Sequence, residues 1–394
     1  MDLTILIISL AKIAVVLTVL FTCVAYVVWL ERKVAGRIQN RWGPHRTGPF
    51  GLLQPAADFL KALFKEDFTP AQVQRPIYFL APFLAMTLAL MSIAVIPFGE
   101  NVTIAGRTIF FEITDLNIGL LYIFAVTSLG VYGIALAGWS SGSKYSLMGG
   151  LRSSAQMISY ELGLGFAVVG VLILSGTLSL RGIVNAQSGF WFGIIPKWYI
   201  WPQFVGFLVY LTAAFAETNR TPFDLPEAEG ELVGGFHTEY SSLKFAMFFT
   251  AEYTNMITVA CLATLLFFGG WMAPLPWAWV QHVPALVLLG MAALMTRTAL
   301  RTYRLERRKS YFAVPGLAGI VGLIGLAFLH PVFAAVAAPM FWFASKVFVF
   351  LFLYIWVRWS VPRFRYDQLM HLGWKVLLPV AAANILITGL VVAL

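Results

Sequence analysis

The stretch AETNRTPFDLPEAEGELVGGFHTE, residues 216–239, is a polar interruption between two long apolar runs, 199–217 and 243–270. It holds Glu217, Asp224, Glu227, Glu229, Glu231 and Glu239, six of the chain's 18 acidic residues. Asp224 suits a helix N-cap, with Pro226 in the first turn and Glu227 three residues on, where acids favour the helix dipole. Capping explains the local shape. It leaves open a second role for the carboxylates in proton traffic or recognition.

The flanking runs are typical of the rest. Of 394 residues 60% are hydrophobic and 11% charged, against about 25% charged in soluble domains. This composition predicts an all-α polytopic integral membrane protein, one membrane domain over 1–394. A span needs about 20 mainly apolar residues. Eight segments qualify readily: 3–30, 76–98, 117–138, 158–178, 199–217, 243–270, 340–358 and 373–394. Two more, 277–296 and 312–338, make about ten. The run 3–30 is too long for a signal-peptide core, and Asp2 stands where basic residues belong, so it reads as a retained helix.

Basic residues orient the chain. With the N-terminus on the periplasmic side and ten spans, inner loops hold about 22 of the 27 Lys and Arg residues and outer loops about three. The excess of +9 therefore writes topology and is no nucleic-acid signal. Parity requires that both segments of 277–338 cross, as an inserted hairpin around Arg297, Arg301, Arg304, Arg307, Arg308 and Lys309, or that neither crosses and one re-enters, and the hairpin is the favoured reading. Gly316, Gly319, Gly322 and Gly325 form a ridge along its second helix, suited to close packing. Its spans carry no acid, so the hairpin is expected to be peripheral to the chemistry.

The polar content gathers on the inner side. Inner loop one, 31–75, has turns at Gly43-Pro44 and Gly48-Pro49. An interfacial amphipathic helix is expected from Leu52 to Phe64, with Asp58, Lys61 and Lys65 outward. A short second loop carries Lys144 and Arg152 and leads to Glu161, expected about one turn into the fourth span. The acidic inner loop covers 217–242. Glu161 and Glu252 are intramembrane acids and thus functional candidates, while Lys12 and Lys346 are read as able to snorkel. Cys23 and Cys261 stand alone in apolar runs, which excludes a cysteine-rich metal or iron–sulfur site and a disulfide framework. No useful nucleotide fingerprint is present.

Long motifs carry a resemblance: ERKVAGRIQNRWGP (31–44), GPFGLLQPAADFLK (48–61), GWSSGSKYS (138–146), LRSSAQMISYE (151–161), AETNRTPFDLPEAEGELVGGFHTEYSS (216–242), AEYTNM (251–256) and PRFRYDQLMHLGWK (362–375). Together they resemble the H-subunit (mitochondrial subunit 1) family of NADH–quinone oxidoreductase, respiratory complex I. The resemblance covers about 1–275 and 340–394, and 277–338 departs from the usual eight-helix pattern. It implies a tilted membrane subunit between the two arms of a proton pump, forming much of the quinone chamber and starting the proton-linked path. Quinone, ubiquinone or menaquinone, is then the substrate, with nothing bound covalently. FMN and iron–sulfur clusters are expected on partners, among them the peripheral-arm subunits at the last cluster. Small membrane-arm subunits and lipids are the other expected partners. The expected location is the cell inner membrane: a bacterial cytoplasmic membrane, or the mitochondrial inner membrane if organellar.

By motif position, Arg32, Arg41, Asp58, Phe236, Arg358 and Arg363 resemble quinone-chamber residues. Glu161, Glu217, Asp224, Glu227, Glu229, Glu231 and Glu252 resemble an acidic funnel, with Arg220 as counter-charge. Clustered carboxylates couple and hold protons near neutral pH. Glu227 and Glu231, four apart, are expected to share a helix face, with Glu229 turned away. The alternatives are a membrane anchor of a related hydrogenase or dehydrogenase, and a stand-alone proton-coupled transporter. The complete loop-one and RFRYDQLMHLGWK matches favour complex I, and no internal repeat of the transporter kind is apparent.

Overall fold

Hydrocarbon offers backbone amides no partner, so each spanning run must satisfy its own hydrogen bonds as helix. The computed structural model describes residues 3–104, 107–225, 229–306 and 313–394. Its helices, in chain order, are α1 (Leu3–Ile38), α2 (Gln54–Phe64), α3 (Arg75–Ser92), α4 (Gly119–Ser140), α5 (Lys144–Ser175), α6 (Leu180–Ala186) and α7 (Phe204–Glu217). Then follow α8 (Glu229–Leu232), α9 (Ser242–Phe267), α10 (Val283–Glu306), α11 (Ala313–Ala327), α12 (Pro331–Ser360), α13 (Tyr366–His371) and α14 (Leu378–Ala393). A π-helical turn, Leu372–Leu377, joins the last two. Two small antiparallel ribbons, Val102–Ile104 with Arg107–Ile109 and Phe190–Trp191 with Ile195–Pro196, fall in the connectors expected on the outer side.

Among the described residues, eight helices are long and apolar enough to cross a membrane: α1, α3, α4, α5, α9, α10, α12 and the α13–α14 unit. The other two expected spans, α7 and α11, are apolar but have only 14 and 15 residues. At about 1.5 Å per residue α7 reaches about 21 Å, short of a hydrocarbon core of about 30 Å. It stops at Glu217, where Asn219 turns left-handed at φ 51, a geometry Asn tolerates better than most residues.

Helix α9 lies at the centre and packs against α3, α12, α1, α2, α6 and α7. Helix α5 packs against α4, α7 and α14. Tyr160 and Leu164 of α5, Tyr210 of α7 and Met256 and Phe267 of α9 fill the core between them. Close approach needs missing side chains: a Cβ at Gly133 of α4 would sit 2.9 Å from the Ala85 backbone of α3.

Several bounds differ from the sequence expectation. Helix α1 runs on to Ile38, so Arg32 and Lys33 are helical, not loop residues. Helix α5 starts at Lys144, which puts Glu161 near its middle instead of one turn from its end. The polar segment 144–157 is helical because its polar groups face protein: Gln156 Nε2 donates to the carbonyls of Ala216 at 2.8 Å and Phe223 at 2.7 Å. The segment 312–338 breaks at 328–330, at the end expected near His330 and Pro331, and Pro331 opens α12 in the first-turn position where its missing N–H costs nothing. Lys346 does not snorkel. Its Nζ donates to the carbonyls of Phe268, Gly270 and Met272 at 2.7–2.8 Å and lies 4.2 Å from the Trp198 ring centre, tying α12 to the end of α9.

The glycine ridge of α11 divides. A Cβ at Gly325 would meet Leu289 of α10 at 3.1 Å, and one at Gly322 would meet Ala292 at 3.6 Å, whereas Gly316 and Gly319 have open space. Residues 307–312, with Arg307, Arg308 and Lys309, lie outside the described residues.

Candidate functional site

The end of α7, the start of α9 and the middle of α4 and α5 enclose a narrow cavity of about 50 Å³, room for a few waters. Glu217, Thr218, Asn219, Glu252 and Asn255 give it polar walls, and α3, α4 and Phe236 give it apolar ones. Glu217 and Thr127 of α4 line it together, and Glu161 is near enough to act on Glu217 electrostatically. Glu161 accepts from the hydroxyl of Ser128, the next residue on α4. Two carboxylates expected in one path are thus brought together beside adjacent residues of one helix.

Beside this cavity lies a buried ion network. Arg220, 4% exposed, sits with Nε 2.6 Å from Glu252 Oε1 and Nη1 3.6 Å from Glu31 Oε2. Its guanidinium stacks over the Tyr253 ring at 4.0 Å, a contact favoured by the ring quadrupole. The Tyr253 hydroxyl donates to Glu31 at 2.6 Å, and Arg358 donates to the other Glu31 oxygen. Arg220 is therefore ion-paired with Glu252. Arg358 joins the same network and not the surroundings of Phe236.

Glu31 and Tyr253 were not among the residues singled out from sequence. Glu31 is 6% exposed, an acid that ends a long apolar run. It is hidden in the sequence by its place at the start of a basic loop. The signal that could have found it is the ionisable-residue rule already applied to Glu161 and Glu252.

The rest of the acidic stretch pairs with arginines nearer the surface. Asp224 meets Arg363 at 2.8 Å. Glu231, largely exposed, meets Arg152 of α5 at 2.8 Å. The described part of α8 is Glu229–Leu232. Glu227, the side chain of Glu229, and with them the expected Glu227–Glu231 face lie outside the described residues.

An open cleft of about 530 Å³ lies on the loop-one side, lined by Arg32, Asp58, Lys61, Lys65, Gly234 and Tyr240 among others. Asp58 turns towards α1 and binds Arg32 at 2.5 Å. The cleft and the inner cavity share two lining residues, His237 and Phe245, whose rings are 5.1 Å apart. Phe236 is buried beside them, edge-on to Phe248 at 5.4 Å. Burial pushes the Tyr240 phenol up to about 12 against the hydroxyls of Ser140 and Ser141, so it stays a neutral partner in the cleft wall. The end of loop one is fastened to this wall: Lys244 binds Asp67 at 2.9 Å, and Phe68 N donates to Ser241 at 2.9 Å. Arg41 is not drawn in; it is exposed and donates to Gln39 at 2.7 Å. Arg32 and Asp58 thus share one cleft, Phe236 stands at its junction with the cavity, and Arg41 stands apart from both.

Comparison with known proteins covers nearly the whole chain. The NADH dehydrogenase family model matches residues 11–389. The chain is 52% identical to NADH-quinone oxidoreductase H subunit 2 of Koribacter versatilis, covering 99% of this chain and 98% of the relative. It is 53% identical to H subunit 1 of the same oxidoreductase of Solibacter usitatus, over 98% and 97%. It is 45% identical to H subunit 2 of Geobacter sulfurreducens, over 96% and 94%.

Proposed function

The chain belongs to the NADH dehydrogenase family, and from that membership we propose that its cleft and cavity carry quinone chemistry to the carboxylates of the membrane domain. It is a multi-pass membrane subunit of the proton-translocating NADH–quinone oxidoreductase, respiratory complex I. The observation that supports the proposal is the junction at His237 and Phe245, where the cleft with Arg32 and Asp58 abuts the cavity with Glu217 and Glu252.

A quinone has a polar head and an apolar isoprenoid tail. The Arg32–Asp58 pair and the neutral Tyr240 hydroxyl give the cleft polar contacts for the head. Exposed apolar residues of α2, Phe59, Leu60 and Leu63, give the tail a way in from lipid. FMN and iron–sulfur clusters on partner subunits supply electrons to this reaction, the last cluster on the peripheral-arm subunits against the cleft. Reduction of quinone to quinol takes two electrons and two protons. Charge that builds up at the cleft before protonation acts across the His237–Phe245 junction on Glu217, Glu161 and Glu252, a coupled set able to redistribute protons. Arg220 keeps Glu252 and Glu31 oriented. Asp224 on Arg363 and Glu231 on Arg152 hold the acidic loop in place, and Glu227 and Glu229 extend the path. Small membrane-arm subunits and lipids are the remaining partners, in the bacterial cytoplasmic membrane or its mitochondrial counterpart.

The test is Glu217→Gln, which keeps shape and removes charge. The assembled complex should retain NADH oxidation with ferricyanide and lose proton-coupled quinone reduction. Full pumping by assembled Glu217→Gln and Glu252→Gln complexes would remove the carboxylates from the path.

A further inference from the structure

The α10–α11 hairpin meets loop one at its inner tip. Ala299 of α10 and Val314 of α11 are buried, and with Met295 they pack against Phe50. Phe50 has φ 54 and ψ 15, a left-handed conformation that a bulky residue rarely adopts. Its neighbours in the turn, Gly48 and Gly51, are also left-handed, and a Cβ at Gly51 would lie 2.3 Å from the Pro44 carbonyl oxygen. A side chain is thus kept at the one left-handed position of this turn where glycine is absent. Contacts on two sides help to hold it there. Trp29 Nε1 of α1 donates to the Phe50 carbonyl at 3.3 Å, and the hairpin residues close on the ring.

This turn sets the start of α2. Leu53 N donates to the Thr47 carbonyl at 3.3 Å. The Thr47 hydroxyl donates to Gln54 Oε1 at 2.8 Å, and Gln54 Nε2 donates to Asp58 Oδ1 at 2.8 Å. The other Asp58 oxygen binds Arg32 at 2.5 Å. A continuous run of contacts therefore leads from the hairpin to the charged pair in the cleft. We propose that the hairpin is a positioning element for quinone binding, acting through the Phe50 ring to hold α2 and its Asp58–Arg32 pair in register. The proposal rests on the quinone reading of the cleft, and it revises the expectation that the hairpin is peripheral.

The experiment uses the assembled complex and separates KM from kcat. Phe50→Ala removes the ring but keeps a Cβ in the left-handed position, whereas Phe50→Gly removes the ring and adopts the turn freely. Val314→Ala trims the hairpin side and leaves loop one untouched. KM for quinone should rise about fivefold in Phe50→Ala and about twofold in Val314→Ala. It should also rise in Phe50→Gly, by less than in Phe50→Ala, because the ring contact is lost there too and only the backbone strain is relieved. In all three, kcat and the NADH–ferricyanide rate per complex should stay unchanged. The Phe50→Ala/Val314→Ala double variant should add little to Phe50→Ala, because both act through one contact. An unchanged KM in Phe50→Gly, which would leave backbone strain and not the ring contact as the cause, or an unchanged KM with less complex, would overturn the proposal. If Phe50→Ala does not assemble, Val314→Ala decides alone by its KM. Asp58→Asn, measured alongside, separates the two readings. An unchanged quinone KM there overturns the quinone cleft itself. A raised KM there, with none in the Phe50 and Val314 variants, overturns the hairpin's role alone.

Discussion

Arg220→Met tests whether the buried network around Glu252 is structural, functional or both. Arg220 is 4% exposed and Glu31 6%, so solvent screens neither. Removing one member of a buried ion pair costs about 3–5 kcal/mol, because the partner's charge stays behind without compensation. Here the substitution takes a 2.6 Å contact from Glu252 and a 3.6 Å contact from Glu31, and the Tyr253 ring loses its stacked cation. Glu31 keeps Arg358 and Tyr253, and Glu252 loses the shorter of the two contacts, so the larger share of the cost falls on Glu252. A loss of about 3 kcal/mol is more than a hundredfold in an equilibrium constant, enough to deplete assembled complex. Adding Glu252→Gln removes the stranded charge and should return about 2 kcal/mol. The assay is a double-mutant cycle: the fraction of chain in intact complex on native gels, with the temperature of half-inactivation. The double variant should assemble better than Arg220→Met alone, yet still show depressed proton pumping per quinol formed. Additive effects of the two substitutions would refute the reasoning, as would an Arg220→Met complex within about 1 kcal/mol of wild type.

Three more outcomes are expected. Lys346→Met leaves three carbonyls at the end of α9 without their donor and should cost about 1–3 kcal/mol in thermal stability; a neutral result would mean that the lysine reaches the membrane surface. Asp58→Asn should lower the quinone rate several-fold while Arg41→Ala changes it less than about twofold, since only Asp58 lines the cleft and exposed polar contacts contribute little; steady-state rates with quinone and with ferricyanide distinguish the two. A cysteine introduced at Ser310 should react with membrane-impermeant reagent only from the cytoplasmic side of sealed vesicles, and modification from the opposite side would reverse the assigned orientation.

The spanning helices were legible because apolar runs of the required length leave few other folds. Helix ends were less so. Hydropathy alone excludes 144–157 from a span, yet that segment is helix, because Gln156 and its neighbours meet protein and not lipid. The break between α11 and α12 is invisible in the apolar pattern of 312–338 but is written in Pro331. At the site, Glu161, Glu217 and Glu252 stood out as acids among apolar residues, and Arg220 as the nearest cation. Glu31 did not, because its partners Arg220, Tyr253 and Arg358 lie 189, 222 and 327 positions away. No local pattern encodes such a meeting. Arg41 shows the converse: a motif position can suggest a role, but the folded turn leaves the side chain in solvent.

Helix α7 stops short at Glu217, and the irregular backbone after it must find its partners inside the protein. It finds them on α5. Arg152 grips Glu231, four residues on Gln156 holds the carbonyls of Ala216 and Phe223, and five further on Glu161 is coupled to Glu217. The two contacts, four residues apart, span about one turn of one helix, which is stiff along its axis, and Glu161 lies little more than a turn beyond them. The acidic loop therefore cannot slide past α5; it can only carry α5 with it. Any displacement at the loop arrives at Glu161 as a movement of the same rod, so mechanical strain and a change of electric field reach that carboxylate together.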